Sequence, residues 1–332
     1  MIGEKKRGVG MATMWYPVGP GGTNPGTARF HMNERGEVTM FISSPDVGQG
    51  SSTALAQVAA DAIGVPFEWV TRVVAADSDE SPADFGSVGS RVTYVQGNAV
   101  RLAGEEMQAR LKAVAQEMMN TSADRITISG GMAYDVDGVI EPIDLRDIAS
   151  REVGRIGEPI ETVGSFSPGG EYGDRVTGQT VVYPTFVYAT QIVEVEVDTG
   201  TGEVRILRMV AAHDSGTILN PMLLEGQIIG GIAQGIGMAL SEEVVIQDGR
   251  TRNPSLSDYF LPTSMDVPDI VMSHVITSEP TGPFGAKCVG EPALVPTAPA
   301  ITNAIYNAVG VRITSLPATP EKVLAAIFEK AA

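Results

Sequence analysis

The sequence predicts an α+β fold with two subdomains, each a mixed β-sheet covered by helices. Alternating segments, such as Val193, Val195 and Val197 with acidic residues between them, predict strands that have one buried and one wet face. Other segments carry apolar residues at helical spacing, so helices are expected between the strands. A chain of 332 residues is long enough to bury the sizeable core that such a fold needs.

The composition of the chain excludes several classes of protein. With 43% hydrophobic and 19% charged residues, the chain is globular rather than disordered. Its net charge of −17 argues against a nucleic-acid partner, because phosphate binding needs a basic face. The single cysteine, Cys288, excludes a disulfide framework and a cysteine-ligated iron–sulfur cluster within this chain. Because no signal peptide and no apolar run of membrane-spanning length are recognised, we expect a cytoplasmic protein with no membrane span.

The first predicted subdomain covers residues 28–175. Residues 1–27, which precede it, are rich in glycine and proline and predict a loop or arm that contacts a partner. The predicted elements of the subdomain are two strands within 28–45, a helix at 52–63, a strand at 69–77, a helix at 94–119, a hairpin at 126–135 and a short helix at 143–150. A loop at 164–180 is the expected boundary.

The second predicted subdomain covers residues 176–332 and contains the candidate catalytic residue. It opens with a hairpin that turns at 198–202, and a glycine-rich helix at 221–242 follows. The glycines of that helix predict close packing on another element. Strands and a loop are expected over 243–278, and two further helices at 298–309 and 320–330.

Glu291 is the candidate catalytic residue. It lies between Gly290 and Pro292, in a segment of small and apolar residues rather than on a solvated face. A carboxylate in such surroundings is suited to general-base catalysis. The alternative is a buried glutamate that caps a turn or begins the next helix. Lys287 is the nearby cation.

Two glycine-containing turns before helices predict a cofactor or anion site. Their residues are Gly48, Gln49 and Gly50 before the helix at 52–63, and Gly89, Ser90 and Arg91 before the helix at 94–119. Backbone N–H groups at a helix start can bind a phosphate, and the amides of Gln49 and Gln227 can match the polar edge of a flat cofactor. The alternatives are an ordinary tight turn and, for Arg91, an ion pair with an acidic residue just upstream.

The run Gly-Ala-Lys-Cys-Val-Gly-Glu-Pro around Glu291 resembles the Lys-Gly-x-Gly-Glu-Pro signature of the xanthine oxidase family of molybdenum hydroxylases. Three further stretches, at 46–53, 89–100 and 214–227, resemble motifs of that family in the same order. Cys288 departs from the signature, which more often has glycine there. The similarity extends from about residue 6 to the C-terminus.

The resemblance implies that the cofactor is a molybdenum–molybdopterin cytosine dinucleotide and that Glu291 is the base beside the metal. The pterin would hold the metal without a protein side chain as ligand, with Gly89 and Glu291 nearby. The cofactor-binding residues that the resemblance implies are Gly48, Gln49, Gly50, Ser87, Gly89, Ser90, Arg91, Gln227, Lys287 and Gly290.

The family's molybdenum subunit is more than twice as long, so the chain resembles its second half, as in the medium molybdopterin subunit of nicotinate dehydrogenase. The implied partners are a larger molybdopterin subunit, a subunit with 2Fe–2S clusters and a FAD subunit. The implied reaction is hydroxylation of an electron-poor carbon, with water as oxygen source, in an N-heteroaromatic such as nicotinate or a purine. An aldehyde substrate, a non-catalytic scaffold subunit and a nucleotide-binding module of another fold are the alternatives.

Overall fold

A computed structural model describes residues 3–19, 25–75, 77–169, 174, 176–179 and 182–331. The strands are β1 Lys5–Pro17, β2 Gly26–Met32, β3 Val38–Ile42, β4 Val70–Ala75, β5 Ile126–Ser129, β6 Met132–Asp135, β7 Ile143–Asp144, β8 Ile160–Phe166, β9 Phe186–Asp198, β10 Val204–Asp214, β11 Ile246–Gln247, β12 Arg250–Thr251 and β13 Ile270–His274. The helices are α1 Ser51–Ile63, α2 Gly97–Met119, α3 Leu145–Ile156, α4 Pro221–Leu240, α5 Glu291–Leu294, α6 Thr297–Val309 and α7 Pro320–Ala331.

Two four-stranded mixed sheets organise the chain, which confirms the predicted α+β class. The first has the order β4-β3-β2-β8, in which β3 and β4 are parallel and the other pairs antiparallel. The second has the order β1-β9-β10-β13, in which β10 and β13 are parallel. Each sheet buries one face against helices, because its apolar residues alternate along the strands.

Two large apolar cores follow from this arrangement, and a third, smaller cluster contains Met14, Tyr94, Val187 and Cys288. The first core packs the sheet residues Phe30 and Met40 against Leu55 of α1 and Met107 of α2. The second core packs residues of β9 and β10 against α4, α6 and α7, and its fully buried members include Val193, Val195, Ile228, Ile232 and Ile301.

The predicted loop or arm at 1–27 is wrong for residues 5–17, which form β1 and pair with the whole of β9. Glycine misled the prediction here, because Gly8 and Gly10 are glycines for a packing reason. A Cβ on either one would overlap the backbone of α6. Part of the Gly/Pro-rich stretch, residues 20–24, lies outside the described residues.

The predicted loop at 164–180 also begins too early, since β8 continues to Phe166. Gly164 lies inside this strand, where a Cβ would overlap the backbone of α2 at Ala99. Residues 170–173, 175 and 180 of this loop lie outside the described part of the chain.

Helix α4 is the one described helix that has the length and apolar composition of a membrane span, with a mean hydropathy of 1.2. The sequence-based expectation that no run reaches this length is therefore wrong by length and composition. One face of the helix belongs to the second core through Leu224, Ile228 and Ile232. A helix packed into a protein core passes the same test, so the finding is weak evidence for a span.

Candidate cofactor site

A cavity of about 220 Å³ lies between α1, which belongs to the first apolar core, and α4, which belongs to the second. Its walls come from the start of α1, the segment 87–93, the start of α4 and the segment 286–291. The predicted site residues on its walls are Gln49, Gly50, Ser87, Ser90, Arg91, Gln227, Lys287, Gly290 and Glu291. Gly48 and Gly89 are not among the lining residues. The structure therefore brings together residues of all four sequence motifs.

Glu291 is held by Ser90, a residue 201 positions away in the sequence. The hydroxyl of Ser90 donates a hydrogen bond to Oε2 of Glu291, and the backbone N–H of Glu291 donates to Ser90 Oγ over 3.1 Å. Ser90 has a left-handed backbone with φ of 50°, a conformation that non-glycine residues adopt rarely and often at functional sites. A Cβ at Gly290 would lie 2.9 Å from Ser90 Oγ, so a side chain there would displace the hydroxyl that contacts Glu291.

The alternative interpretation of Glu291, as a residue that begins a helix, is also partly correct. It is the first residue of the short helix α5, and its carbonyl accepts a hydrogen bond from Val295 N over 3.1 Å. Its half-buried side chain nevertheless faces the cavity wall rather than capping that helix. A carboxylate oriented by a hydroxyl at the edge of a cavity can accept a proton from a bound molecule.

Tyr16 of β1 is a neighbour of Glu291 that the sequence did not predict. Burial, followed by the negative charge of Glu291 and a hydrogen bond to it, raises the pKa of Tyr16 to about 12. The phenol is thus protonated at neutral pH and can donate to the carboxylate. The sequence does contain a signal for this strand, because Gly10, Ala12, Met14 and Tyr16 alternate on one face of β1. The glycines made the segment look like a loop instead.

Cys288 is a core residue rather than a reactive thiol. It is buried in a cluster with Met14, Tyr94 and Val187. Burial, assisted by the charge of Glu291, raises the pKa of the Cys288 thiol, so the side chain is neutral at physiological pH.

The first glycine turn already contains an anion of its own. The carboxylate of Asp46 accepts hydrogen bonds from the N–H groups of Gly48, Gly50 and Ser52 over 2.9–3.2 Å. Burial acts to raise the pKa of Asp46, but these donors outweigh it and lower the pKa. These three N–H groups are therefore already bonded within the loop, and the predicted contact of this turn with a cofactor stays a prediction.

The amide of Gln49 is likewise engaged inside its own loop. Its Nε2 donates to the carbonyl of Pro45 and to Ser51 Oγ, and its Oε1 accepts from Val47 N over 2.6 Å. Ser87 donates to the same Pro45 carbonyl over 2.7 Å. These bonds hold the turn in one conformation. The amide of Gln49 therefore shapes the cavity wall, and its hydrogen-bonding groups are already used within the loop.

Arg91 takes the second of its two predicted roles. Its guanidinium pairs with the carboxylate of Asp84, and the side chains of both residues are almost completely buried, at 1% and 2% exposure. It also donates to the carbonyls of Gly86 and Pro25 over 3.2 Å. The pair with an upstream acidic residue thus accounts for the position of this side chain, and the predicted cofactor contact of Arg91 stays a prediction.

Lys287 is also paired within the protein. Its Nζ donates to Asp214 Oδ2 over 2.7 Å and to Thr277 Oγ1 over 3.0 Å, and the ion pair is buried. Burial acts to raise the pKa of Asp214, but the hydrogen bonds from Lys287 and Thr277 outweigh it and lower the pKa. The ammonium group therefore fixes the segment before Glu291 to the end of β10.

His213, next to Asp214, makes the fold sensitive to acid. Burial, followed by the proximity of His274, lowers the pKa of His213 from 6.5 to about 4. Because the folded state binds this proton less readily than the unfolded chain, its contribution to stability is complete above pH 6.5 and is lost as the pH falls towards 4.

We expect His213→Leu to remove this dependence. Between pH 7 and pH 4 the free energy of unfolding of the wild type should fall by about 3 kcal/mol more than that of the variant. Urea denaturation at both pH values measures the difference, and parallel pH curves for the two proteins would contradict the prediction.

Comparison with known proteins decides the family. Residues 2–268 match the family of molybdopterin cofactor-binding domains. The chain belongs to this family, and it corresponds to the C-terminal half of a molybdenum-binding subunit of the xanthine oxidase family. The predicted resemblance is thereby confirmed.

The relatives include enzymes of several substrate classes. The xanthine dehydrogenase molybdenum-binding subunit of Escherichia coli O157:H7 is 35% identical over 326 residues, which are 97% of this chain and 42% of that protein. The nicotine 6-hydroxylase large subunit of Paenarthrobacter nicotinovorans is 34% identical over 305 residues, which are 90% of this chain and 36% of that subunit. Quinoline 2-oxidoreductase of Pseudomonas putida has a similar structure, with a TM-score of 0.85, 29% identity and coverage of 98% of this chain and 42% of that one. The chain thus spans less than half the length of these relatives.

One buried hydroxyl on the cavity wall suits a bound polar group such as a pterin. Ser215 lies on this wall, and its buried hydroxyl has no hydrogen-bond partner among the described residues. A buried hydroxyl of this kind is satisfied by an ordered water or by a polar ligand. Asn220, which caps α4 through Leu223 N and contacts Gln57 of α1, forms part of the same wall. Sequence reasoning missed both residues, although both follow Asp214 in a matched motif.

Proposed function

We propose that this chain forms the second half of the active site of a molybdenum hydroxylase and that Glu291 is its general base. The observation that carries the proposal is the Glu291 carboxylate at the wall of the cavity, oriented by Ser90. If the chain were a non-catalytic scaffold, there would be no need for Ser90 to adopt a left-handed backbone and direct its hydroxyl to this carboxylate.

Each residue of the proposed site has a distinct role in the reaction. The molybdenum cofactor, when bound, supplies the redox centre that takes up the two electrons removed from the substrate. Glu291 accepts the proton released at the reacting oxygen, while Ser90 and Tyr16 keep its carboxylate oriented. Gln227, Ser215 and the rigid turn at 48–52 would hold the pterin, which we propose to be the cytosine dinucleotide form. Apolar side chains such as Leu223 limit the entry of water.

The substrate that we propose is an N-heteroaromatic compound hydroxylated at an electron-poor carbon. The names of the nicotine and quinoline enzymes among the relatives support this class. The second candidate is an aldehyde, because the aldehyde oxidoreductase of Desulfovibrio desulfuricans is a structural neighbour with 33% identity and a TM-score of 0.79, over 97% of this chain and 32% of that one.

The partners that we propose are a larger molybdopterin subunit, an iron–sulfur subunit with 2Fe–2S clusters and a FAD subunit, in the cytoplasm. The large-subunit names of several relatives support a multi-subunit enzyme. We also propose that the segment 1–27, which contains strand β1, contacts a partner.

The proposal is tested by purification of the tagged chain from its native host. We expect a complex that contains equimolar molybdenum and a longer chain similar to the first half of the same relatives. Assays with N-heteroaromatic compounds and with aldehydes then decide the substrate class. A metal-free chain that purifies alone would overturn the proposal.

A further inference from the structure

A second side-chain contact joins the segment of Ser90 to the segment of Glu291. Tyr94 lies in the first segment and Thr281 in the second, and their hydroxyl oxygens are 2.6 Å apart. The two segments are thus linked at both ends, by this contact and by the hydrogen bonds between Ser90 and Glu291. We call this closed arrangement of residues 90–94 and 281–291 the base ring.

The hydrogen bonds at Thr281 have a defined direction. Burial acts to raise the pKa of Glu279, but hydrogen bonds from Thr185 and Thr281 outweigh it and lower the pKa, so this carboxylate is ionised at neutral pH. The Thr281 hydroxyl therefore donates to Glu279 Oε1, over 2.6 Å. This bond uses its one proton, so in the other contact the Tyr94 hydroxyl is the donor. Burial raises the pKa of Tyr94, and its phenol is therefore protonated at neutral pH.

The backbone around Tyr94 is held independently of its hydroxyl. Tyr94 is 1% exposed and lies in a turn of π-helix, Val92–Gln96, a conformation that is frequent at functional sites. Asn98 Nδ2 donates to the carbonyls of Tyr94 and Thr281 over 2.9 and 2.8 Å. Because these bonds do not involve the phenol, a variant that lacks only the Tyr94 hydroxyl should keep its fold.

The Glu291 side of the base ring is anchored to the end of β10. The backbone N–H of Lys287 donates to the carbonyl of Ser215 over 2.9 Å, and the Lys287 ammonium group is buried in its ion pair with the last residue of that strand. Ser90 lies on the other segment, ahead of α2. Its distance from Glu291 therefore depends on the contacts between the two segments, one of which is made by the Tyr94 hydroxyl.

We propose that Tyr94 is a positioning residue for the general base. Its hydroxyl, through Thr281, holds Ser90 where the serine can donate to the Glu291 carboxylate. Tyr94 does not line the cavity, so it acts through Ser90 and not by contact with a bound molecule. This inference rests on the proposed function, because it concerns the residue that we assign as the base.

The test measures hydrogen–deuterium exchange of the Glu291 backbone N–H in the purified complex. This N–H donates to Ser90 Oγ over 3.1 Å, so its exchange rate reports the contact and does not depend on turnover. Tyr94→Phe removes one hydroxyl of the ring, and Thr281→Val removes the other. We expect each variant to raise this exchange rate about three- to tenfold and to lower the turnover number by a similar factor, with the molybdenum content of the wild type.

Tyr259→Phe is the matched control. Tyr259 also donates its hydroxyl to a side chain, Oε2 of Glu242, but it lies outside the base ring and does not line the cavity. This variant should match the wild type in exchange and in turnover. Because Tyr94 and Thr281 act in one chain of hydrogen bonds, the double variant Tyr94→Phe/Thr281→Val should exceed the exchange rate of either single variant by no more than about twofold.

The outcomes separate this inference from the proposed function. Exchange at the wild-type rate in Tyr94→Phe would overturn the positioning role and leave the proposed function intact. Faster exchange with unchanged turnover would overturn the assignment of Glu291 as the base, and the role of Tyr94 in the reaction with it. Equal acceleration in Tyr259→Phe would attribute the change to a general loosening of the fold and overturn the inference. Independent effects of the two hydroxyls in the double variant would contradict action through Thr281.

Discussion

Glu291→Gln is expected to lower the turnover number of the purified complex by about 10²- to 10⁴-fold, while the molybdenum content stays that of the wild type. The amide has the shape of the carboxylate and can still accept the Ser90 hydrogen bond. It cannot accept a proton, so only the general-base step is removed. Steady-state rates and metal analysis on the same preparation measure both quantities.

Glu161→Gln is the matched control for this experiment. Glu161 is also a carboxylate with a close polar partner, since its Oε2 lies 2.6 Å from Nε2 of His31, but it is on β8 and does not line the cavity. Its replacement should leave turnover unchanged. If Glu291→Gln were equally active, the base assignment would be wrong and the scaffold alternative favoured. If the variant lost its molybdenum, Glu291 would hold the cofactor instead.

Most of the helices were predictable because their signals are local, although α3 extends to Ile156, beyond the predicted 143–150, and the short α5 was not predicted. Long periodic segments such as α2 and α6 carry their apolar spacing within the sequence itself. Strand β1 was not predictable in the same way. Its Gly8 and Gly10 are needed by helix α6, almost the whole chain away, and nothing in their sequence neighbourhood shows that contact.

Most of the predicted site residues line one cavity, whereas the contacts of their side chains were not predictable. The motifs brought Ser90 and Glu291 to one cavity although 201 positions separate them. The motifs also contain charged residues, Arg91 and Lys287, whose partners depend on tertiary geometry. In the structure each of them forms an ion pair with a buried aspartate. The type of residue alone does not show whether a cation pairs with an aspartate or binds an anionic cofactor.

Arg91→Met is expected to lower the free energy of unfolding by about 3–5 kcal/mol, the usual cost of removing one partner from a buried ion pair. Methionine fills much of the arginine volume, so the loss arises from the charge of Asp84, which keeps the Ser43 hydroxyl and the Gly86 N–H as donors but loses its cation. Urea denaturation of the isolated chain measures the change.

The double variant Asp84→Leu/Arg91→Met separates a structural role from cofactor binding. Because it removes both charges, we expect it to recover at least about half of the stability that Arg91→Met loses. If Arg91 bound the dinucleotide phosphate instead, the single variant would leave the stability of the isolated chain unchanged and would lower the cofactor content of the complex. Loss of stability in the single variant, with recovery in the double variant, would identify Arg91 as the residue that fixes the segment 84–91 and thereby sets the position of Ser90 beside Glu291.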